Sequence, residues 1–202
     1  MSLPNDLKIT LSPQEVEFLT ESEMITILPR YSMNKLELIT DDIPKLMAMH
    51  RIQVPLWYAL ILKQQRKCSI VPPNWLNHKS LKEFFQSEVT ELNQFSKLPH
   101  NWLELSKIFF ENAADDLSDE PAKLKSLIQD LKELRLIKVK KGLSLINESH
   151  LQLDNLSILE INEIRPFVVE VMGKLTKLKQ VITNEIDEDR LEDRDNDDDL
   201  ME

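Results

Sequence analysis

The chain has 202 residues, 42% of them apolar, with a formal net charge of −10, one cysteine and two glycines. That apolar share is enough for a packed core, and a single thiol excludes an internal disulfide or a thiolate metal cluster. Eleven acids fall in residues 185–202 against Arg190 and Arg194, so the first 184 residues carry only −1 and bulk charge gives no support for nucleic-acid binding.

Ser12-Pro13-Gln14-Glu15 predicts a helix start, with Ser12 capping, Pro13 in the first turn and Glu15 completing a capping box. Glu23 to Arg30 is β-branched and ends at Pro29, which predicts a strand; Leu36 to Thr40 predicts a second, paired to it antiparallel. Ile43 to His50 reads as a short helix. Two strands and a short helix bury little surface alone. Residues 1–50 are therefore expected to form a small β-containing module that must dock on something larger, and residues 51–183 a helical domain.

The helical part opens at Leu56 and is expected to run to Lys67, stopped by Pro72 and Pro73. Helices are predicted from Asn77 or His78 to Val89, from Asn101 to Ala114, and from Glu120 to Asn147, with Asp119 or Ser118 capping the last. Trp75 and Trp102 each read as a buried indole anchoring a loop-to-helix junction. Gly142, inside the third of these, suggests a bend or a close approach. A polar connector, His150 to Ser157, precedes a final helix from Ile158 to Ile182, with Pro166 inside it. There Ile161, Ile164, Val168, Val171, Leu175, Leu178 and Ile182 alternate steps of three and four, an a/d seam that needs a partner surface. The acidic segment from 184 to 202 is expected to lack order.

Catalytic patterns are weak. Gly142 and Gly173 both sit in helical patterns, so there is no phosphate-cradling loop. The four histidines are scattered without zinc spacing. Ser149, His150 and Asp154 are too close in sequence to suggest a triad. Asp115, Asp116, Asp119 and Glu120 could hold a divalent ion, though without calcium-loop spacing. Lys132, Arg135, Lys138, Lys140 and Lys141 form a basic run that fits either a DNA-tracking face or a solvated face paired with Asp130 and Glu133; the lack of interleaved aromatics favours the solvated face. The longest apolar run, Val54 to Leu62, is far short of the roughly 20 residues a membrane span needs. With one cysteine and no apolar leader, a reducing compartment is expected.

Three segments together point to one family: Glu17 to Pro29; Val54 to Cys68 continued by Val71-Pro72-Pro73-Asn74-Trp75-Leu76; and Leu153-Asp154-Asn155-Leu156-Ser157 followed by Leu159-Glu160-Ile161-Asn162-Glu163-Ile164-Arg165-Pro166-Phe167. They resemble the second PSF-type subunits of the GINS complex, a eukaryotic DNA-replication assembly. The resemblance implies an α+β chain that is mainly helical, with a small β-rich B domain preceding a helical A domain. It implies a nuclear, non-enzymatic subunit without cofactors, in a heterotetramer with three sister subunits that serves the MCM helicase ring and its cell-division-cycle partner protein. The helices from Leu56 and Ile158 are then expected to build the seams between subunits, through Leu56, Trp57, Leu60, Ile161, Ile164, Val168, Val171 and Leu175. The rival readings are a stand-alone helical DNA-binding protein using Lys132 to Lys141 and a metal-dependent enzyme using Asp115, Asp116 and Asp119.

Overall fold

The structure, a computed structural model, describes residues 10–39, 42–144 and 153–198, with side chains as far as Ile182. Helix α1 (Pro13–Thr20) starts as its sequence predicts: Ser12 Oγ accepts from Glu15 N, and Glu15 Oε2 accepts from Ser12 N at 2.6 Å. Strand β1 (Met24–Pro29) follows and turns Ile25, Ile27 and Pro29 inward. Its partners differ from those expected. Among the described residues, the segment after β1 makes two isolated bridges, Met33 to Leu46 and Leu36 to Ile43, and no helix forms between Ile43 and His50. The strands that flank β1 are β2 (Ile52–Pro55) and β3 (Cys68–Ile70), both antiparallel to it, in the order β2-β1-β3.

Between them lies α2 (Leu56–Gln64), which springs directly from β2. The first helical N–H groups, which have no partner inside a helix, are taken up here by the preceding turn: Leu56 N donates to Glu23 O at 2.8 Å and Trp57 N to Glu21 O at 3.0 Å. The helix stops before Lys67 because Arg66 adopts φ 57° and Lys67 N folds back onto Leu62 O. That early stop frees Cys68–Ile70 to complete the sheet.

Helices α3 (His78–Thr90), α4 (Trp102–Asn112), α5 (Pro121–Leu143) and α6 (Ile158–Asp198) make up the rest. Asn77 caps α3 through Ser80 N at 2.7 Å. Asp119, expected to cap α5, instead accepts from His78 N at the start of α3, and α5 has no side-chain cap. Trp102 is buried, as its position predicts, whereas Trp75 is half-buried against the core. An added Cβ at Gly142 would meet nothing within 4 Å, so neither its packing nor its φ requires glycine. Helix α6 begins at Ile158 and runs through Pro166, which has no N–H to offer the carbonyl four residues back. Its backbone continues to Asp198, where an unordered tail was expected. No proline or glycine follows Gly173 as far as Asp198 to stop it.

One core spans the sheet and α2 to α5. It joins Ile25, Ile27, Ile43 and Leu46 to Leu56, Ala59 and Leu62, and these to Trp102, Phe109 and Leu124. The expected boundary at residue 50 therefore falls between two paired strands that share this core. The small module docks on the chain's own helices. Leu56 is fully buried in that core, which removes it from any surface that could meet a partner. Truncation there acts on folding: Leu56→Ala should lower stability by roughly 2–5 kcal/mol, measured by urea unfolding of the isolated chain.

Candidate assembly surface and the ion network beneath it

Glu88, Arg135, Lys138 and Glu160 come from three helices and meet in the interior. Arg135, on α5, is 0% exposed. Its Nε and Nη2 grip Glu160 Oε1 and Oε2 at 2.7 and 2.9 Å, a bidentate pair. Its Nη1 reaches Glu88 Oε1 at 2.6 Å, and Nη2 also donates to Asn155 O at 2.7 Å. Lys138 donates to the other oxygen of Glu88 and to Gln94 O. Ser96 donates both its N–H and its hydroxyl to Glu88. Phe95 lies under both cations, 5.0 Å from the Arg135 guanidinium carbon and 5.5 Å from Lys138 Nζ. Two acids and two bases balance, so the cluster buries no net charge. Burial alone would raise the Glu88 pKa; the bonds from Lys138 and Ser96 and the charge of Arg135 outweigh it and hold this carboxyl below the usual glutamate range.

The same network starts α6. Ser157 Oγ accepts from Glu160 N, and Glu160 Oε2 accepts from Ser157 N at 2.7 Å. This is a reciprocal capping box whose acid also holds Arg135. Asn155, at φ 62°, makes the turn before it and donates from Nδ2 to Phe95 O. Sequence reasoning passed over Glu88, Glu160 and this cap. The signal was present in Ser157-Ile158-Leu159-Glu160, the S-x-x-E pattern of a helix start.

The basic run is thus split. Arg135 and Lys138 are interior, Lys132 is half-buried, and Lys140 and Lys141 are exposed. A DNA-tracking face through Arg135 and Lys138 would require dismantling the network, and their acids are Glu88 and Glu160, not Asp130 and Glu133. The aspartates of the metal reading are engaged separately. Asp115 and Asp116 accept from Lys63 at 2.8 and 2.7 Å, Asp116 also takes Ile70 N, and Asp119 holds His78. Among the described residues no group of three or more His, Cys, Asp or Glu is placed to hold a metal ion. Burial pushes the Cys68 thiol up to about 11, with Asp116 adding to the effect, so it stays protonated near neutrality. Ser149 and His150 lie outside the described residues.

The a/d seam of α6 divides at the edge of the body. Ile164 and Val168 are buried against Val139 and Leu156, with Ile161 and Met172 packed at the margin. Val171 and Leu175 are half-buried. Leu178 is 60% exposed, Val181 54% and Ile182 55%. The inner half of the stripe is therefore intramolecular and its outer half is uncovered. On α2, Trp57 and Leu60 are partly buried and packed on the core. A second apolar surface is an open groove of about 510 Å³ between α4 and α5, floored by Leu103, Phe110, Ile128 and Leu136.

Comparison with known proteins decides the family. Residues 12–71 match the PSF2 N-terminal domain and residues 75–179 the GINS complex protein helical bundle domain. The chain belongs to the PSF2 family of GINS-complex proteins. Relatives named DNA replication complex GINS protein PSF2 include those of Candida albicans, 56% identical over 99% of this chain and 100% of theirs, and Debaryomyces hansenii, 54% identical over 98% and 96%. That of Saccharomyces cerevisiae is 48% identical over 88% of this chain and 92% of its own. The two PSF2-family matches meet between residues 71 and 75, just past β3, so the first takes in the whole three-stranded sheet and α2.

The network yields a prediction with a defined sign. A carboxyl whose folded pKa is depressed contributes stability above its unfolded pKa and loses it as pH falls through the folded value. Glu88→Gln should cost about 3–5 kcal/mol at neutral pH, as expected when one partner of a buried pair is removed. It should also flatten the acid limb of the stability profile. Urea unfolding from neutrality into the acid range measures both.

Proposed function

We propose that this chain is a non-enzymatic structural subunit of the nuclear GINS complex, joined to three sister subunits and acting as a scaffold for the MCM helicase ring and its cell-division-cycle partner protein in DNA replication. The observation that carries the reading is the outer half of α6. Leu178, Val181 and Ile182 offer a continuous apolar ridge on a helix that has left its own core. A ridge of this period suits a helix of another chain, whose burial would contribute roughly 25 cal/mol per Å² of apolar area before the costs of association. Family membership supports a sister GINS subunit as that chain, since the relatives are named as GINS proteins. The engagement of Lys63, Asp115 and Asp116 with one another, and of Arg135 and Lys138 with buried acids, favours a scaffold over the catalytic and DNA-binding alternatives. ATP chemistry then belongs to the ring.

Co-expression with the three sister chains should give a stable particle whose measured mass equals one copy of each. Ile164 and Val168 are poor probes of this contact because they are buried within the subunit. Leu178→Asp together with Ile182→Asp should abolish co-purification while the isolated chain keeps its circular-dichroism spectrum and its unfolding midpoint. Undiminished recovery of the four-chain particle with that double variant would count against the ridge as the seam.

A further inference from the structure

Glu104 occupies an unusual position. It lies on α4, is 6% exposed, and is buried at both carboxylate oxygens, neither of which has a hydrogen-bond partner. Most buried carboxylates are paired, because an unpaired one forfeits the hydration it had in the unfolded chain. The other interior acids of the helical body, Glu88 and Glu160, are saturated with donors. Glu104 faces a cavity of about 230 Å³ where α1, α4, α5 and α6 converge, lined also by Pro13, Glu17, Lys107, Lys132 and Leu159. The cations on its wall leave it open. Lys107 is committed to Glu17 at 2.9 Å, and Lys132 acts on Glu104 only through space.

We propose that this cavity receives an arginine side chain of a partner protein, its guanidinium paired to both oxygens of Glu104. The inference rests on the reading of the chain as one subunit of an assembly. A planar guanidinium supplies two parallel N–H groups to a carboxylate. The apolar wall of Pro13 and Leu159 suits the methylene stem behind it. The cavity also adjoins the groove between α4 and α5, since Leu103, Lys107 and Lys132 line both. A chain seated along that apolar floor would bring a side chain to the opening. The charged groups around Glu104 fit such an arrival. Burial holds its carboxyl above the usual glutamate range and Glu160 and Glu23 add to this, while its own backbone amide and Lys132 oppose it. An incoming cation would favour the ionised form of the carboxyl.

The test begins with n-propylguanidinium chloride titrated into the full-length chain carrying ¹³C-labelled glutamate, at constant ionic strength. The Glu104 carboxyl resonance, assigned by its loss in Glu104→Gln, should shift saturably, and its titration midpoint should fall back toward that of an ordinary carboxyl. Sodium chloride should produce neither change. In a second arm, Glu104→Gln should weaken association with the sister subunits roughly thirtyfold or more, while Glu83→Gln, exposed on α3 and away from both the groove and the cavity, should leave it unchanged. The isolated Glu104→Gln chain should unfold at a temperature no lower than the parent, because no hydrogen bond to another residue is lost. A flat carboxyl titration, a sodium response equal to that of propylguanidinium, or unweakened association of Glu104→Gln would each overturn the proposal. If the parent chain fails to associate with the sister subunits at all, the assembly reading fails and the arginine receptor on a partner falls with it. In that case a saturable propylguanidinium response would leave only a guanidinium-binding cavity.

Discussion

Arg135 governs the arrangement of the helical body. Withdrawing a guanidinium completely from water costs several kcal/mol, and only dense pairing offsets it. Here that pairing draws on groups far apart in the chain: Glu88 from α3, Glu160 from the first turn of α6, and the carbonyl of Asn155 between them. Each bond has a direction, and the planar fork tolerates little displacement. Apolar side chains could fill the same volume, and such exchanges are often neutral or stabilising in other proteins. What they could not supply is a fixed angle at which α6 departs. A helix whose first turn is bound to a buried guanidinium leaves the body in one direction, which places the end of its seam.

That direction explains how one stripe serves two purposes. The period of three and four runs unbroken from Ile161 to Ile182, but its environment changes along the way. Val139 and Leu156 cover Ile164 and Val168, and the body then falls away. A seven-residue seam read as one surface is thus an internal joint for half its length. The same economy appears at α2. Its residues look equally apolar in sequence, yet Leu56 is central to the core and Trp57 and Leu60 pack against it. Burial by the chain's own sheet competes with burial by a partner, and proximity favours the sheet.

Much of this was legible, in a way that follows the physics. Capping geometry is local, so Ser12 and Glu15 announce α1 correctly. The alternation of Ile25 and Ile27 gave β1 its inward face. Strands of three or four residues carry too little period to be seen, so β2 and β3, on either side of the helix expected from Leu56 to Lys67, have no sequence signature. The partner of β1 was then sought in the nearest extended segment. The basic run failed for a different reason. Lys132, Arg135 and Lys138 recur every three residues, which places them on one face but does not say whether that face meets water or acid. The acids that decide it lie 47 and 25 residues from Arg135. A one-dimensional pattern cannot resolve a charge network assembled at that distance. The nearest candidates, Asp130 and Glu133, were the natural wrong choice.

Glu104 and the outer ridge of α6 share a physical character. The core is closed, and Glu88 and Glu160 are met by donors from the chain's own groups. Against that background an apolar ridge at more than half exposure and a buried carboxylate without a donor are both unmet demands, one for area and one for a cation. Neither gains anything for an isolated chain, since the first costs hydration and the second costs desolvation. A chain that satisfies its most difficult group, a fully buried guanidinium, yet leaves these two unmet has the character of one component among several. The two demands also differ in kind. Apolar area gives affinity with little discrimination, whereas a recessed carboxylate rejects any partner that lacks the matching cation. A surface carrying both would recruit broadly along the ridge and select at the cavity.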